Sequence, residues 1–245
     1  AGDLTLAGTT TWAGGILTTG NGAKLRNDST GVFDATDGSI TFDGNGTRTV
    51  FTNAGQFRKN SGAGMTEIAA TFENDGSGTV AVGSGKLKLS GGGKNAAGGK
   101  FDIASGAELE INGDFELAAT SELKGNGRAR MLAGTLLVNE LVSILNVDFD
   151  GGVLAGTNSF SGTVNWNGGD WNAASGAFST TIAAGAILNL KKGSSHEFNR
   201  RSLTNQGIIN WLSSDIRGGN GSVFTNNSVF NDLNGGTKSI LAPGD

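Results

Sequence analysis

Bulky apolar residues recur along this chain at a fixed distance from asparagine. Four segments share an apolar residue, one spacer and then Asn. They are FTNAGQF at 51–57, FENDGSG at 72–78, LTNQGII at 203–209 and FTNNSVF at 224–230. Within each pair the segments begin 21 residues apart, at 51 and 72 and again at 203 and 224. A constant period of this length predicts a β-solenoid, in which each turn of the chain stacks on the one before it.

Apolar and polar residues alternate within short pieces between these segments. Examples are SITF at 39–42, KLKL at 86–89, ELEI at 108–111 and ILNL at 187–190. Successive side chains of a strand point to opposite faces, so each piece predicts a short strand with one buried face. An antiparallel sandwich would also contain many short strands, but it has no reason to keep a constant period.

Gly-Gly pairs mark a second kind of repeat. WAGGIL at 12–17, FDGGVL at 149–154 and WNGGDW at 166–171 each carry an aromatic residue before the glycines and an apolar residue after them. Glycine readily adopts the positive φ angles that a tight corner requires. We expect the leading aromatic residues, Trp12 and Trp166 among them, to fill the interior beside such corners.

The 21-residue repeat predicts side-chain stacks along the solenoid axis. The predicted core stack consists of Phe51 with Phe72 and Leu203 with Phe224. The predicted amide ladder consists of Asn53 with Asn74 and Asn205 with Asn226. Each amide would bond to its copy in the next coil or to backbone groups of a turn. Ligand or metal binding by these asparagines is the alternative, and we favour the structural role.

These corners, coils and strands together resemble the right-handed parallel β-helix of bacterial secreted and cell-surface proteins. Within that group, the chain is similar to autotransporter passengers and filamentous-haemagglutinin-like adhesins. The resemblance implies an all-β, right-handed parallel β-helix with irregular turns, and a role in adhesion, surface layers or extracellular scaffolding. The segment 239–245, SILAPGD, is similar to the start of a turn motif that recurs in such passengers. We expect residues 1–245 to form a single β-solenoid domain that is a segment of a longer exported protein.

Composition and charge limit the classes of function that the chain can have. Glycine supplies 43 of 245 residues and the net charge is −4, with no concentration of Lys or Arg. The chain therefore lacks the positively charged surface that binding of a nucleic acid requires. No apolar run approaches the roughly 18–20 residues of a transmembrane segment. The absence of cysteine suits export, and we expect a secreted, extracellular or cell-surface location. A start at Ala1 fits a removed signal segment, and an arbitrary sequence boundary explains it equally well.

Few residues are candidates for catalysis or metal binding. His196 is the only histidine and lies in KKGSSHEF, where we expect an exposed loop. Asp148 and Asp150 would share one strand face, as a carboxylate dyad or a Ca²⁺ site requires. The alternative is an exposed face leading into the corner at Gly151. The sequence predicts no catalytic residue and no required cofactor.

The remaining tryptophans offer a possible glycan contact. Because Trp12 and Trp166 are assigned to the interior, Trp171 and Trp211 are the candidates for stacking against a sugar at the surface.

We therefore predict an extracellular structural or adhesive module that forms a stiff surface stalk or a self-assembling filament. Its expected partners are further copies of the solenoid and host or matrix glycans and proteins. The alternatives are a polysaccharide-binding module and a carbohydrate-active lyase or hydrolase.

Overall fold

A computed structural model describes residues 2–138, 143–144, 146–173, 178–191 and 195–241. The regular structure of these residues consists of strands, with no helix among them. The first twelve strands are β1 (Asp3–Leu6), β2 (Thr9–Trp12), β3 (Gly15–Thr19), β4 (Lys24–Asn27), β5 (Val32–Ala35), β6 (Gly38–Phe42), β7 (Val50–Asn53), β8 (Gln56–Lys59), β9 (Met65–Ile68), β10 (Thr71–Asn74), β11 (Thr79–Val82) and β12 (Lys86–Leu89). The next twelve are β13 (Gly93–Asn95), β14 (Lys100–Ile103), β15 (Glu108–Asn112), β16 (Phe115–Leu117), β17 (Glu122–Lys124), β18 (Arg128–Ala133), β19 (Thr135–Val138), β20 (Ser143–Ile144), β21 (Val147–Phe149), β22 (Val153–Ala155), β23 (Asn158–Phe160) and β24 (Thr163–Trp166). The last nine are β25 (Phe178–Ile182), β26 (Ile187–Leu190), β27 (Ser195–Glu197), β28 (Arg201–Asn205), β29 (Ile208–Trp211), β30 (Asp215–Arg217), β31 (Val223–Asn226), β32 (Val229–Asp232) and β33 (Ile240–Leu241).

The strands stack into three parallel faces of a solenoid. Face 1 contains β1, β4, β7, β10, β13, β16, β19 and β22, and resumes as β27, β30 and β33. Face 2 contains β2, β5, β8, β11, β14, β17 and β20, and resumes as β23, β25, β28 and β31. Face 3 is one continuous 11-stranded sheet of β3, β6, β9, β12, β15, β18, β21, β24, β26, β29 and β32. The predicted all-β solenoid fold is therefore confirmed. The end of the predicted C-terminal turn motif, at 242–245, lies outside the described residues.

The coils keep register although their lengths differ. Phe51 pairs with Phe72, and Leu203 pairs with Phe224, so both pairs keep the interval predicted from the sequence. Within face 3, the longest interval separates Ile40 from Ile68, and the shortest separates Val147 from Val164. The extra residues lie in the turns, because the strands of face 3 remain paired throughout. The period is thus a property of the stacked strands, and the turns absorb its variation.

The interior is a continuous column of apolar side chains. Phe51 and Phe72 are fully buried, and their ring centroids lie 5.4 Å apart in an edge-to-face arrangement. Leu203 is buried, while Phe224 is partly buried against the same core. Edge-to-face ring pairs add roughly 0.5–1.5 kcal/mol beyond the burial of their area. The predicted core stack is therefore present in both halves.

The phenylalanine column of face 1 has a gap at Gly93, which follows Phe72 in register. A Cβ at Gly93 would lie 1.9 Å from the carbonyl oxygen of Phe72. Phe101, from face 2, fills the space, with its ring centroid 6.3 Å from that of Phe72 and 6.1 Å from that of Phe115. The core therefore remains aromatic in this coil, although the backbone of Phe72 lies too close to Gly93 for a side chain at that position.

Asparagines form the predicted amide ladder, and all of them except the exposed Asn226 are buried. Nδ2 of Asn53 donates to Oδ1 of Asn74 at 2.8 Å, and Nδ2 of Asn205 donates to Oδ1 of Asn226 at 2.7 Å. Asn27 and Asn95 extend the first ladder at its two ends, each through a 2.8 Å bond. The same Nδ2 atoms also donate to backbone carbonyl oxygens at the start of a strand in the next coil, such as Thr79 O of β11 at 3.1 Å. The ladders thus satisfy backbone groups at the corners while they join neighbouring coils. The ladder from Asn27 to Asn95 lies at the corner between faces 1 and 2, and the pair Asn205 and Asn226 lies at the corner between faces 2 and 3.

Candidate functional site

The outer surface of face 3 carries one row of polar side chains in lateral register. We call this the outer row. It consists of Glu67, Lys88, Glu110, Arg130, Asp148, Asn165, Asn189, Asn210 and Asn231. The row changes character at Asp148, where alternating charges give way to amides.

The charged part of the outer row forms an ion-pair network between coils together with Lys86 and Glu108, which lie beside it on face 3. Lys86 Nζ lies 3.0 Å from Glu108 Oε1 and 2.5 Å from Glu110 Oε1. Arg130 contacts the same two glutamates at 3.4 and 3.3 Å. Burial opposes ionisation of Glu108, but Lys86 and the other polar neighbours outweigh it and lower the pKa of that carboxyl. Each of these positive charges therefore has carboxylate partners on a neighbouring strand.

Asp148 and Asp150 are held by arginine and asparagine side chains. Asp148 Oδ2 accepts from Arg128 Nη1 at 2.7 Å, and its Oδ1 accepts from Asn165 Nδ2 at 2.6 Å. Asp150 accepts from Arg130 Nε at 2.8 Å and from Asn167 Nδ2 at 2.8 Å. The guanidinium groups occupy the positions that a cation would need beside these carboxylates. Within the described residues, no group of three or more His, Cys, Asp or Glu is placed to hold a metal ion.

The second part of the outer row is an amide ladder on the outside of the solenoid. Nδ2 of Asn189 donates to Asn165 Oδ1, and Asn210 and Asn231 continue the chain, each bond being 2.9 Å long. All of these amides point toward Asp148, so the ladder ends on a carboxylate. A charged acceptor strengthens the bond it receives, and hydrogen bonds in a chain polarise one another.

The sequence analysis did not identify this outer ladder. The signal is nevertheless present, because an Asn between two large apolar or aromatic residues recurs as VNW at 164–166, LNL at 188–190 and INW at 209–211. Period-2 alternation places these asparagines on the face opposite the core. The buried Φ-x-N repeat does not predict this ladder, because the asparagines of the two ladders lie on opposite faces of their strands.

An open polar cleft lies where the two parts of the outer row meet. Its volume is about 520 Å³. It is lined by Gly106, Ala107, Glu108, Asn126, Gly127, Arg128, Asn146, Asp148, Thr163 and Asn165. Partners in face 3 are closest in sequence here, from Arg130 to Asp148 and from Asp148 to Asn165. The cleft is therefore located at the shortest coils of face 3.

The prediction that Trp171 and Trp211 stack on surface glycans is wrong. Trp171 is 0% exposed, and its ring lies parallel to that of Trp166 with the centroids 4.1 Å apart. Trp211 is 5% exposed, and its Nε1 donates to Ser214 O at 2.7 Å. Both aromatic residues of the WNGGDW corner point inward, because the chain enters and leaves this corner along the core. Neither ring offers a free face to a sugar.

The prediction of an exposed loop at His196 is also wrong. His196 lies in β27, is 0% exposed and packs against Trp166 with the ring centroids 4.9 Å apart. Among the described residues, neither imidazole nitrogen has a hydrogen-bond partner of good geometry. Burial lowers its pKa to about 4, and the Ser213 backbone only partly opposes the shift. Period-2 spacing from His196 to Phe198, which is also buried, was the available sequence signal.

We expect the stability of the protein to fall between pH 6.5 and 4 because of His196. The unfolded state takes up a proton near the ordinary pKa of 6.5, whereas the folded state does so only near 4. The contribution is intact above pH 6.5 and is lost as the pH falls, by about 3 kcal/mol in total. Urea unfolding at pH 7 and pH 4.5 should show this loss in the wild type and a smaller one in His196→Phe. Equal losses in both proteins would contradict the assignment.

Arg201, like His196, is a buried ionisable residue. Unlike His196, it was not among the candidate residues from the sequence. Its side chain is 0% exposed, and burial lowers its pKa to about 10. The guanidinium donates to the carbonyl oxygens of Leu154 at 2.7 Å, Gly156 at 3.0 Å and Trp171 at 2.6 Å, and to Thr180 Oγ1 at 2.8 Å. It thus ties together the coils where face 1 changes from one sheet to the next, between β22 and β27. Its place in RSLTN, two residues before Leu203, puts it on the inward face by simple alternation.

No protein-family model, curated protein or solved structure matches the chain. Within the described residues there is no helix long and apolar enough to cross a membrane.

Proposed function

We propose that the protein is an extracellular structural or adhesive module that acts as a stiff surface stalk. The observation that carries this proposal is the unbroken 11-stranded sheet of face 3. A rod made of such coils holds whatever it displays at a fixed distance and orientation.

Three kinds of contact between coils support a stiff rod. Parallel backbone hydrogen bonds join each strand of face 3 to the next. The buried amide ladder from Asn27 to Asn95 and the outer ladder from Asn165 to Asn231 add side-chain bonds along the axis. The aromatic column resists bending because tight packing gives protein interiors a low compressibility. Bending the rod would strain all three kinds of contact together.

Treatment of intact producing cells with a protease tests the extracellular location. We propose that the protein is cleaved or released before the cells are lysed, while a cytoplasmic marker stays intact. Protection of the protein until lysis, together with the marker, would contradict an extracellular role.

Self-association is a second proposed property, and the two outermost coils favour it. Strands β1, β2 and β3 each pair with a single neighbour, and so do β31, β32 and β33. Exposed apolar side chains accompany these edges: Leu4, Ile16 and Leu17 at one end and Val223, Ile240 and Leu241 at the other. Unpaired parallel edges with apolar side chains are suited to end-to-end pairing with another copy.

Sedimentation velocity over a dilution series tests this property. We expect concentration-dependent oligomers of the wild type, and a dissociation constant at least tenfold higher for Leu17→Lys and for Ile240→Lys. Met65→Lys is the matched control, because it changes an exposed apolar residue on β9, a strand of face 3 that is paired on both sides. A wild-type protein that stays monomeric at every concentration would contradict the proposed self-association.

The carbohydrate-active enzyme remains the alternative from the sequence, with Asp148 and Asp150 as its acidic residues. Both carboxylates are occupied by arginine and asparagine donors. The structural role requires no reacting group, and we prefer it for that reason.

A further inference from the structure

The cleft on face 3 has a floor that is fixed before any ligand arrives. Asp148 and Asn165 form this floor and are 5% and 7% exposed. Arg128 holds one carboxylate oxygen of Asp148, and Asn165 holds the other. Asn165 in turn accepts a hydrogen bond from Asn189. A site whose polar groups are already oriented loses little entropy when it binds.

The wall of the cleft offers both donors and acceptors. Arg128 has a side chain that is 57% exposed and uses only Nη1 for Asp148, so the guanidinium retains further N–H groups toward solvent. Asn126 lies at the rim, and its amide can both donate and accept. Glu108 supplies a carboxylate and Thr163 a hydroxyl. Donors and acceptors therefore alternate over a short distance.

The charges of the cleft are compensated within the protein. Glu108 is paired with Lys86 and Arg130, and Asp148 with Arg128. An anionic ligand would meet two carboxylates, and a cation would meet guanidinium and ammonium groups. Among the described residues, the lining includes no aromatic ring or large aliphatic side chain to bind an apolar ligand. An uncharged ligand that both donates and accepts hydrogen bonds fits this lining best.

We propose that the cleft binds a short, uncharged, hydroxyl-rich ligand, namely a segment of a neutral oligosaccharide. Neighbouring sugar hydroxyls match a carboxylate beside a guanidinium or an amide, because each hydroxyl donates one hydrogen bond and accepts others. The volume of about 520 Å³ lies within the roughly 300–1,000 Å³ of ordinary ligand pockets. The site recognises sugars by hydrogen bonds alone and does not involve Trp171 or Trp211. It adds a specific ligand to the proposed stalk, and the stalk proposal does not depend on it.

A glycan array with neutral, acidic and amino-sugar oligosaccharides is the first test, followed by calorimetric titration of the strongest neutral ligand. Asn126→Ala removes an amide from the wall, and Thr163→Trp fills the cleft. Asn45→Ala is the matched control, since Asn45 is an exposed loop amide that lies away from the cleft. Circular dichroism and the thermal midpoint establish that each variant is folded.

The proposal predicts that the wild type binds neutral oligosaccharides. It predicts affinity about five- to tenfold weaker in Asn126→Ala, no measurable binding in Thr163→Trp, and an unchanged affinity in Asn45→Ala. If Thr163→Trp does not fold, Asn126→Ala decides. Absence of neutral-glycan binding by the wild type, or equal affinity in the wild type and Asn126→Ala, would overturn the proposal. Binding confined to acidic glycans and lost with added salt would overturn it as well.

Discussion

We expect Arg201→Ala to lower the free energy of unfolding by about 4 kcal/mol. The substitution removes a donor from the buried carbonyl oxygens of Leu154, Gly156 and Trp171, of which Gly156 O keeps a 3.3 Å bond from Asn158 Nδ2. Each unsatisfied buried group costs about 1–3 kcal/mol, and the lost side chain leaves a cavity as well. Removal of a buried cation relieves some desolvation, but three carbonyl groups and the cavity outweigh it.

Chemical denaturation of Arg201→Ala, Arg201→Lys and Arg26→Ala measures this effect. Lysine keeps the charge but lacks the planar fork that reaches several acceptors, so we expect it to restore less than half of the loss. Arg26 lies on face 1 with a single 3.3 Å contact to Asp28, and its replacement should change stability by less than about 0.5 kcal/mol. Full stability of Arg201→Lys would show that charge alone, rather than the carbonyl cluster, explains the burial of Arg201.

We expect Asn74→Asp to destabilise the protein by about 3–5 kcal/mol at neutral pH. The change keeps the shape of the side chain but replaces the amide donor by an oxygen. That oxygen would face Asn95 Oδ1 at 2.8 Å and Gly78 O at 3.0 Å, inside a fully buried corner. An uncompensated buried charge and repulsion between acceptors both act against folding.

Denaturation of Asn74→Asp at pH 7 and at acidic pH distinguishes the two costs. Protonation of the new carboxyl removes its charge and restores a donor, so part of the loss should be recovered at low pH. Asn45→Asp, at an exposed position, is the control and should change stability by less than about 0.5 kcal/mol. A loss as small as that of the control would mean that the buried ladder contributes little to stability.

The buried ladder and core stack could be predicted because they repeat in the sequence itself. Asn53 and Asn74 follow Phe51 and Phe72 at the same spacing, and stacking of similar coils turns that spacing into contact. Alternation places Arg201 and His196 on inward positions, but the burial of an ionisable group there could not be predicted from the pattern of apolar residues. Their burial depends on partners from other coils: backbone carbonyls for Arg201 and an aromatic ring for His196.

The cleft could not be predicted from the sequence for a different reason. It unites residues of consecutive coils, such as Arg128 with Asp148 and Asp148 with Asn165, at intervals shorter than the regular period. Only the actual lengths of the turns decide which side chains meet there. Trp171 shows the same dependence, because a residue after a Gly-Gly corner faces outward or inward according to the path of the turn.

The central claim is that the coils form one stiff rod, and a distance along face 3 tests it most directly. The chain has no cysteine, so Met65→Cys and Val229→Cys introduce the two exposed positions for spin labels. These residues lie on β9 and β32, eight strand steps apart in the sheet, which corresponds to about 38 Å at about 4.8 Å per step. Pulsed dipolar spectroscopy should give a single narrow distribution centred near that distance. A broad distribution, or one centred well below it, would contradict a stiff continuous solenoid.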